Sequence, residues 1–200
     1  MTAFETVTLE VPDAEAATAF YEAFGLSSYV QVRTTRAPAN GFRGFALSLV
    51  AAQPGDVDAL TAAAVSAGAT TTQPATKSFW GYGGVVRTPD GTLCKIASSK
   101  KKDVAPVTGR IDQVALLLGV ADVKASKQFY VGKGLAVGKS YGGKYVEFDT
   151  PSSAVTLALY PRRALAKDVG TADDGSGSHG IVFGGQAGTF TDPDGFEWEN

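Results

Sequence analysis

The chain has 200 residues, of which 44% are hydrophobic and 19% charged, with mean hydropathy near zero, so it carries enough apolar material to rule out wholesale disorder. Eighteen Lys and Arg against 20 Asp and Glu give a net charge of −2, without the basic surplus of a nucleic-acid or anionic-membrane binder. The lone cysteine, Cys94, excludes disulfide and cysteine-rich zinc frameworks, and the lack of a basic apolar leader in residues 1–11 or of any long apolar run predicts a cytoplasmic protein with no membrane or nucleic-acid partner.

In chain order, residues 6–11 read as a strand, Asp13 as a helix N-cap, and Ala16, Ala17, Phe20, Tyr21 and Phe24 as one apolar helix face closed by Gly25. Residues 28–33 and 45–50 are strand-like, residues 57–66 form a second helix ending near Gly68, and residues 84–87 and 93–97 are strands around the turn Pro89-Asp90-Gly91. Residues 98–108 lose all apolar periodicity, and with Lys100, Lys101 and Lys102 they read as a solvated linker.

The same signals then recur. Residues 114–120 are a strand, Asp122 an N-cap, and Phe129, Tyr130 and Gly134 repeat the spacing of Phe20, Tyr21 and Gly25. Strands follow at 145–149, 155–160, 181–183 and 196–199, with a second turn at Pro193-Asp194-Gly195 and no counterpart to the second helix. The repeat predicts an α+β protein of two related units, 1–97 and 109–200, joined by the linker 98–108 and packed face to face so that each covers the other's open strand edges.

Chemistry-bearing groups are sparse. His179 is the single histidine, no Gly-x-Ser-x-Gly elbow surrounds Ser176 or Ser178, and Cys94 lies in an apolar strand as a packing thiol. Gly138-Lys139-Ser140 imitates the end of a phosphate loop but follows a helix and lacks its first glycine. Phe79, Trp80, Tyr82, Tyr141, Tyr145, Tyr160 and Trp198, several beside glycines, are the expected lining of a site for a flat, largely apolar small molecule.

Asp-x6-Phe-Tyr-x3-Gly-Leu in both halves, with Pro89-Asp90-Gly91 and Asp192-Pro193-Asp194-Gly195 downstream, resembles the vicinal oxygen chelate superfamily, which includes glyoxalase I, extradiol dioxygenases and bleomycin-resistance proteins. The resemblance implies tandem domains built from βαβββ modules, with mixed sheets curved into half-barrels around a cupped pocket. Both halves are expected to be abridged, because the first leaves little chain between Leu26 and Phe45 and the second omits its second helix.

The superfamily's enzymes hold a divalent ion on His, Gln or Glu of several strands. The matching positions here are Thr6 and Ala115, Gly44 and Gly180, and Lys95 and Glu199, of which only Glu199 is a ligand type. The residues therefore imply a metal-free binder similar to bleomycin-resistance proteins, working as an intrachain pseudo-dimer, with a homodimer possible and no cofactor required. The alternative is a lyase, isomerase or dioxygenase of the glyoxalase type in the C-terminal half, holding Zn, Mn, Fe or Ni on Gln113, His179 and Glu199 with help from Glu147. A third possibility is an interaction scaffold without an open pocket.

Overall fold

The computed structural model describes residues 4–200. The first half runs β1 (Phe4–Val11), α1 (Ala14–Phe24), β2 (Gln31–Thr34), β3 (Ala39–Gly41), β4 (Phe45–Val50), α2 (Pro54–Ser66), β5 (Thr70–Ser78), β6 (Gly81–Arg87) and β7 (Leu93–Ser98). The second half runs β8 (Gln113–Val120), α3 (Val123–Gly132), β9 (Ala136–Ser140), β10 (Val146–Asp149), β11 (Val155–Pro161), α4 (Arg162–Asp168), β12 (Gly175–Gly177), β13 (Ile181–Gly185), β14 (Phe190–Thr191) and β15 (Glu197–Glu199). Among the described residues, no helix is long and apolar enough to cross a membrane.

The repeated helices form for the reason their spacing suggested. Asp13 accepts from the Ala16 amide and Asp122 from those of Lys124 and Ala125, and Gly25 and Gly134 reverse the chain at φ 82° and 93°. The repeated turns serve the helices in turn. Tyr21 donates to Asp90 at 2.9 Å and Tyr130 to Asp192 at 2.6 Å, so the two motifs that recur in sequence meet in space and tie each helix to its hairpin. Asp90 also accepts from Thr88 and Thr92, and Asp192 from the amides of Asp194 and Phe196. The aspartates are structural acceptors in turns.

The strands form an eight-stranded sheet ordered β5-β6-β7-β4-β8-β11-β10-β9 and a five-stranded sheet ordered β14-β15-β13-β1-β2, while β3 and β12 pair apart as a ribbon. Both large sheets cross the boundary between the halves. The antiparallel pairs β4–β8 and β1–β13 join them edge to edge, which corrects the expectation of face-to-face packing. The eight-stranded sheet holds two complete βαβββ modules, β4-α2-β5-β6-β7 and β8-α3-β9-β10-β11. Only the five-stranded sheet is abridged.

Sequence periodicity missed several elements for local reasons. β5 is a mostly exposed, polar edge strand interrupted by Pro74, and β9, the false phosphate loop, is an equally exposed edge. The second helix of the second half is present as α4, contrary to expectation, directly after β11 as α2 follows β4. Its seven residues make barely two turns, too few to print a helical period.

The linker is not free in solvent. Gln53 at the start of α2 accepts from the amides of Val104 and Ala105 and donates to the Ala105 carbonyl. Asp56 accepts from the amides of Thr108 and Gly109 and from the Thr108 hydroxyl, while Asp103 accepts from Gly55. The amide bonds from Thr108 and Gly109 hold the Asp56 carboxyl below its ordinary value. Because the folded value is depressed, this carboxylate contributes stability above the unfolded value of about 4, and the contribution is lost as pH falls toward the folded value. We expect the Thr108 and Gly109 amides to lose hydrogen-exchange protection below about pH 4, before the sheet amides do, and to be unprotected at neutral pH in Asp56→Ala. Equal protection in both proteins would refute the clamp.

Candidate functional site

Alternation along the strands divides the eight-stranded sheet into two faces. Leu47, Leu49, Ile96, Leu116, Leu118, Leu157 and Leu159 pack into the main core with Val57 and Leu60 of α2 and Val123 and Tyr130 of α3. The opposite face, where the resemblance places a ligand cup, presents Ala46, Ala115, Leu117 and Ala158, and on these sit Leu165 and Ala166 of α4 with Val169 just beyond it. Small residues make the seat. A Cβ on Gly119 would lie 3.0 Å from the Arg162 Cα and 3.1 Å from the Gly44 carbonyl oxygen. Arg162 donates to the Phe42 carbonyl at 2.6 Å, and Asp168 accepts from Lys95 at 2.6 Å. The lysine at the metal-glutamate position of this sheet thus pairs with α4, and the middle of the cup is filled by the protein's own helix.

The aromatic residues do not gather into one lining. Trp198 is a correction: it is 1% exposed and packed among Phe4, Tyr130, Phe183 and Phe190 at centroid distances of 5.2–5.7 Å. Tyr82 borders a hollow, but its ring leans on the α2 side and its hydroxyl donates to Asp58 at 2.8 Å. Phe79 and Trp80 stand 83% and 82% exposed at the β5–β6 tip, edge to face with each other. Tyr141, Tyr145 and Tyr160 form a row, with Tyr145 and Tyr160 packed on the α4 side of the sheet. Burial, then the bond to Glu147, pushes the Tyr145 phenol upward, which makes it a hydrogen-bond donor and not a base.

The metal candidates do not converge either. Gln113 lies in the eight-stranded sheet and donates to Thr156. His179 precedes β13, stacks on Phe196 at 4.1 Å, and has both ring nitrogens against backbone carbonyls, those of Arg43 and Asp194. Glu147 is engaged by Lys139 and Tyr145. Among the described residues no group of three or more His, Cys, Asp or Glu is placed to hold an ion. At the superfamily's ligand positions only Glu199 is a ligand type, and both its oxygens are engaged by Arg33. Cys94 is buried, and that burial raises its thiol, so it is a packing residue.

The five-stranded sheet is different. One face joins the main core through Phe4, Val7, Leu9, Ile181, Phe183 and Trp198. The other lines a hollow of about 430 Å3 with Thr6, Thr8, Gln31, Arg33, Gly184 and Glu199. Gly184 leaves room there for the Thr6 hydroxyl, which a Cβ would force to rotate away. Glu10 and Arg33 are register partners on β1 and β2, and Arg33 bonds Glu10 through Nε at 2.9 Å and Glu199 through Nη1 and Nη2 at 2.7 and 2.9 Å. Arg33 and Glu199 stand three strands apart and four residues out of register, about 19 Å in a flat sheet. Their contact closes only because the sheet curls with this face inward. The bond to Arg33 draws the Glu199 carboxyl below its usual range. Sequence reasoning found Glu199 and missed Arg33 and Glu10, whose one signal was alternation on short strands.

No protein-family model matches the chain, and no curated protein sequence does. Among solved structures, glyoxalase I from Zea mays is similar over 99% of this chain and 91% of its own, with a TM-score of 0.60 at 14% identity. A glyoxalase/bleomycin resistance protein from Albidiferax ferrireducens matches over 48% of this chain and 97% of its own, with a TM-score of 0.40 at 24% identity. The likeness over the whole chain establishes the fold: the protein shares the architecture of glyoxalase I.

Proposed function

We propose that the chain binds a small polar molecule, without a metal ion, in the hollow of the five-stranded sheet. The supporting observation is that this curved face is open, at about 430 Å3, whereas α4 occupies the middle of the corresponding face of the larger sheet. That volume falls within the roughly 300–1,000 Å3 of ordinary ligand pockets. Hydroxyls of Thr6 and Thr8 and the amide of Gln31 both donate and accept, which suits a ligand with several hydrogen-bonding groups better than the flat apolar molecule suggested by the aromatic residues. The metal-dependent alternative would need Glu199 to ligate an ion while bonded twice to Arg33.

A thermal-shift screen of polar metabolite-sized compounds, followed by calorimetric titration of those that stabilise the protein, tests the reading. Replacing both Thr8 and Gln31 by Val and Leu should weaken binding at least about tenfold, since each lost buried hydrogen bond is worth about 1–3 kcal/mol and tenfold is 1.4 kcal/mol. EDTA should change neither affinity nor melting temperature. Binding unaffected by these substitutions but lost in Trp80→Ala would move the site to the β5–β6 tip, where Trp80, Gln73 and Lys95 border a hollow of about 220 Å3.

A further inference from the structure

The cluster inside the five-stranded sheet has a charge arrangement of its own. Two carboxylates, Glu10 on β1 and Glu199 on β15, face one guanidinium, Arg33 on β2. Nε and Nη2 of Arg33 lie 2.9 and 2.7 Å from Glu10 Oε1, and Nη1 and Nη2 lie 2.7 and 2.9 Å from the two Glu199 oxygens. A planar fork engaged on both sides leaves Glu199 with neither oxygen free of it. Glu10 is the less exposed carboxylate, at 14% against 48% for Glu199, so a cation held between them is shielded on one side and open to the hollow on the other.

Glu199 lines the hollow with the hydroxyls of Thr6 and Thr8 and the amide of Gln31, and Glu10 meets Glu199 at its rim through Arg33, so two carboxylates of different strands flank one cation position of the kind that hard divalent ions accept. Glu10 lies outside the superfamily's ligand positions, so this pairing is this chain's own. What stands between the two carboxylates is a cation that the chain itself supplies. We infer that Arg33 is a built-in replacement for a divalent ion in this hollow, and that its guanidinium, not a shortage of oxygen ligands, is what bars an ion from Glu10 and Glu199. The inference concerns which cation the hollow holds and stands independently of the small-molecule reading above.

The test is calorimetric titration of Mn2+ and Zn2+ into the 200-residue protein, Glu199→Gln, Arg33→Met, and Arg33→Met with Glu199→Gln, with near-ultraviolet circular dichroism confirming that each is folded. Parent protein should give no saturable binding. Arg33→Met should take up about one equivalent, at least about tenfold more tightly than any binding by the parent, equivalent to 1.4 kcal/mol, and the added Glu199→Gln should abolish the gain. If Arg33→Met does not fold, Arg33→Gln, which keeps a polar side chain on β2, serves in its place. Two results would overturn the inference: stoichiometric binding by the parent that Glu199→Gln removes, or folded Arg33 variants that bind no more ion than the parent.

Discussion

Residues 1–99 expressed alone should not give a cooperatively folded monomer. Removing the second half strips β4 of its antiparallel partner along its whole length, from Phe45 opposite Leu118 to Val50 opposite Gln113. It also strips β1 of β13, leaving Val7 and Leu9 without Phe183 and Ile181. Two central strands thereby become edges, and unpaired edges of Phe45-Ala46-Leu47 type invite aggregation. The core suffers equally, because one cluster runs from Phe20 and Leu47 in the first half to Leu116, Leu157 and Trp198 in the second. A fragment of this kind loses its stability as a unit, since no sub-core within it is closed. Co-expression with residues 109–200 should restore a soluble complex through the same pairs. A soluble, monomeric fragment with a sigmoidal urea transition would disprove the interdependence.

The second large effect separates the two tryptophans. Trp198→Ala should cost about 3–5 kcal/mol, the usual range for truncating a buried aromatic. Four rings pack on this indole, Phe4, Tyr130, Phe183 and Phe190, from β1, α3, β13 and β14, so the vacated volume sits where the two halves meet. For a chain of this size about 1 kcal/mol moves Tm by about 2–4 °C, giving a fall of roughly 10 °C. Its indole N–H finds no acceptor among the described residues, so Trp198→Phe, which removes that buried donor while keeping a ring, should recover most of the loss. Trp80→Ala, at 82% exposure, should stay within about 0.5 kcal/mol of the parent. Equal losses in the two variants would contradict the burial that distinguishes them.

The distinction between these residues marks how far the amino-acid sequence could be read. Trp80 precedes a glycine-rich strand and Trp198 lies within the short run 196–199, and nothing local says which is sealed. Trp198 is sealed because β15 inserts between β14 and β13, a position set by pairing and not by residues 196–199 themselves. Tyr82 and Tyr145 likewise differ in the face they present, and a strand's period of two separates its faces without telling which helix covers each. His179 was legible as a polar residue beside a loop, yet its engagement by the Arg43 and Asp194 carbonyls depends on a segment 136 residues away and on the turn 15 residues downstream.

Local chemistry alone determined the repeated units: Asp13 and Asp122 as caps, Gly25 and Gly134 as stops, and the two Pro-Asp-Gly turns, each an interaction spanning at most a few residues. Two copies in register carried the resemblance to the vicinal oxygen chelate superfamily, and through that resemblance the expected fold class. The absence of metal-ligand types at Thr6, Ala115, Gly44, Gly180 and Lys95 was also visible in the residues themselves. Which edges join, which curved face α4 fills and which remains open, and the meeting of Glu10, Arg33 and Glu199 were decided only in three dimensions. The physical reason is that strand pairing and sheet curl act between segments far apart in the chain: Arg33 and Glu199 are 166 residues apart in sequence and 2.7 Å apart across the hollow.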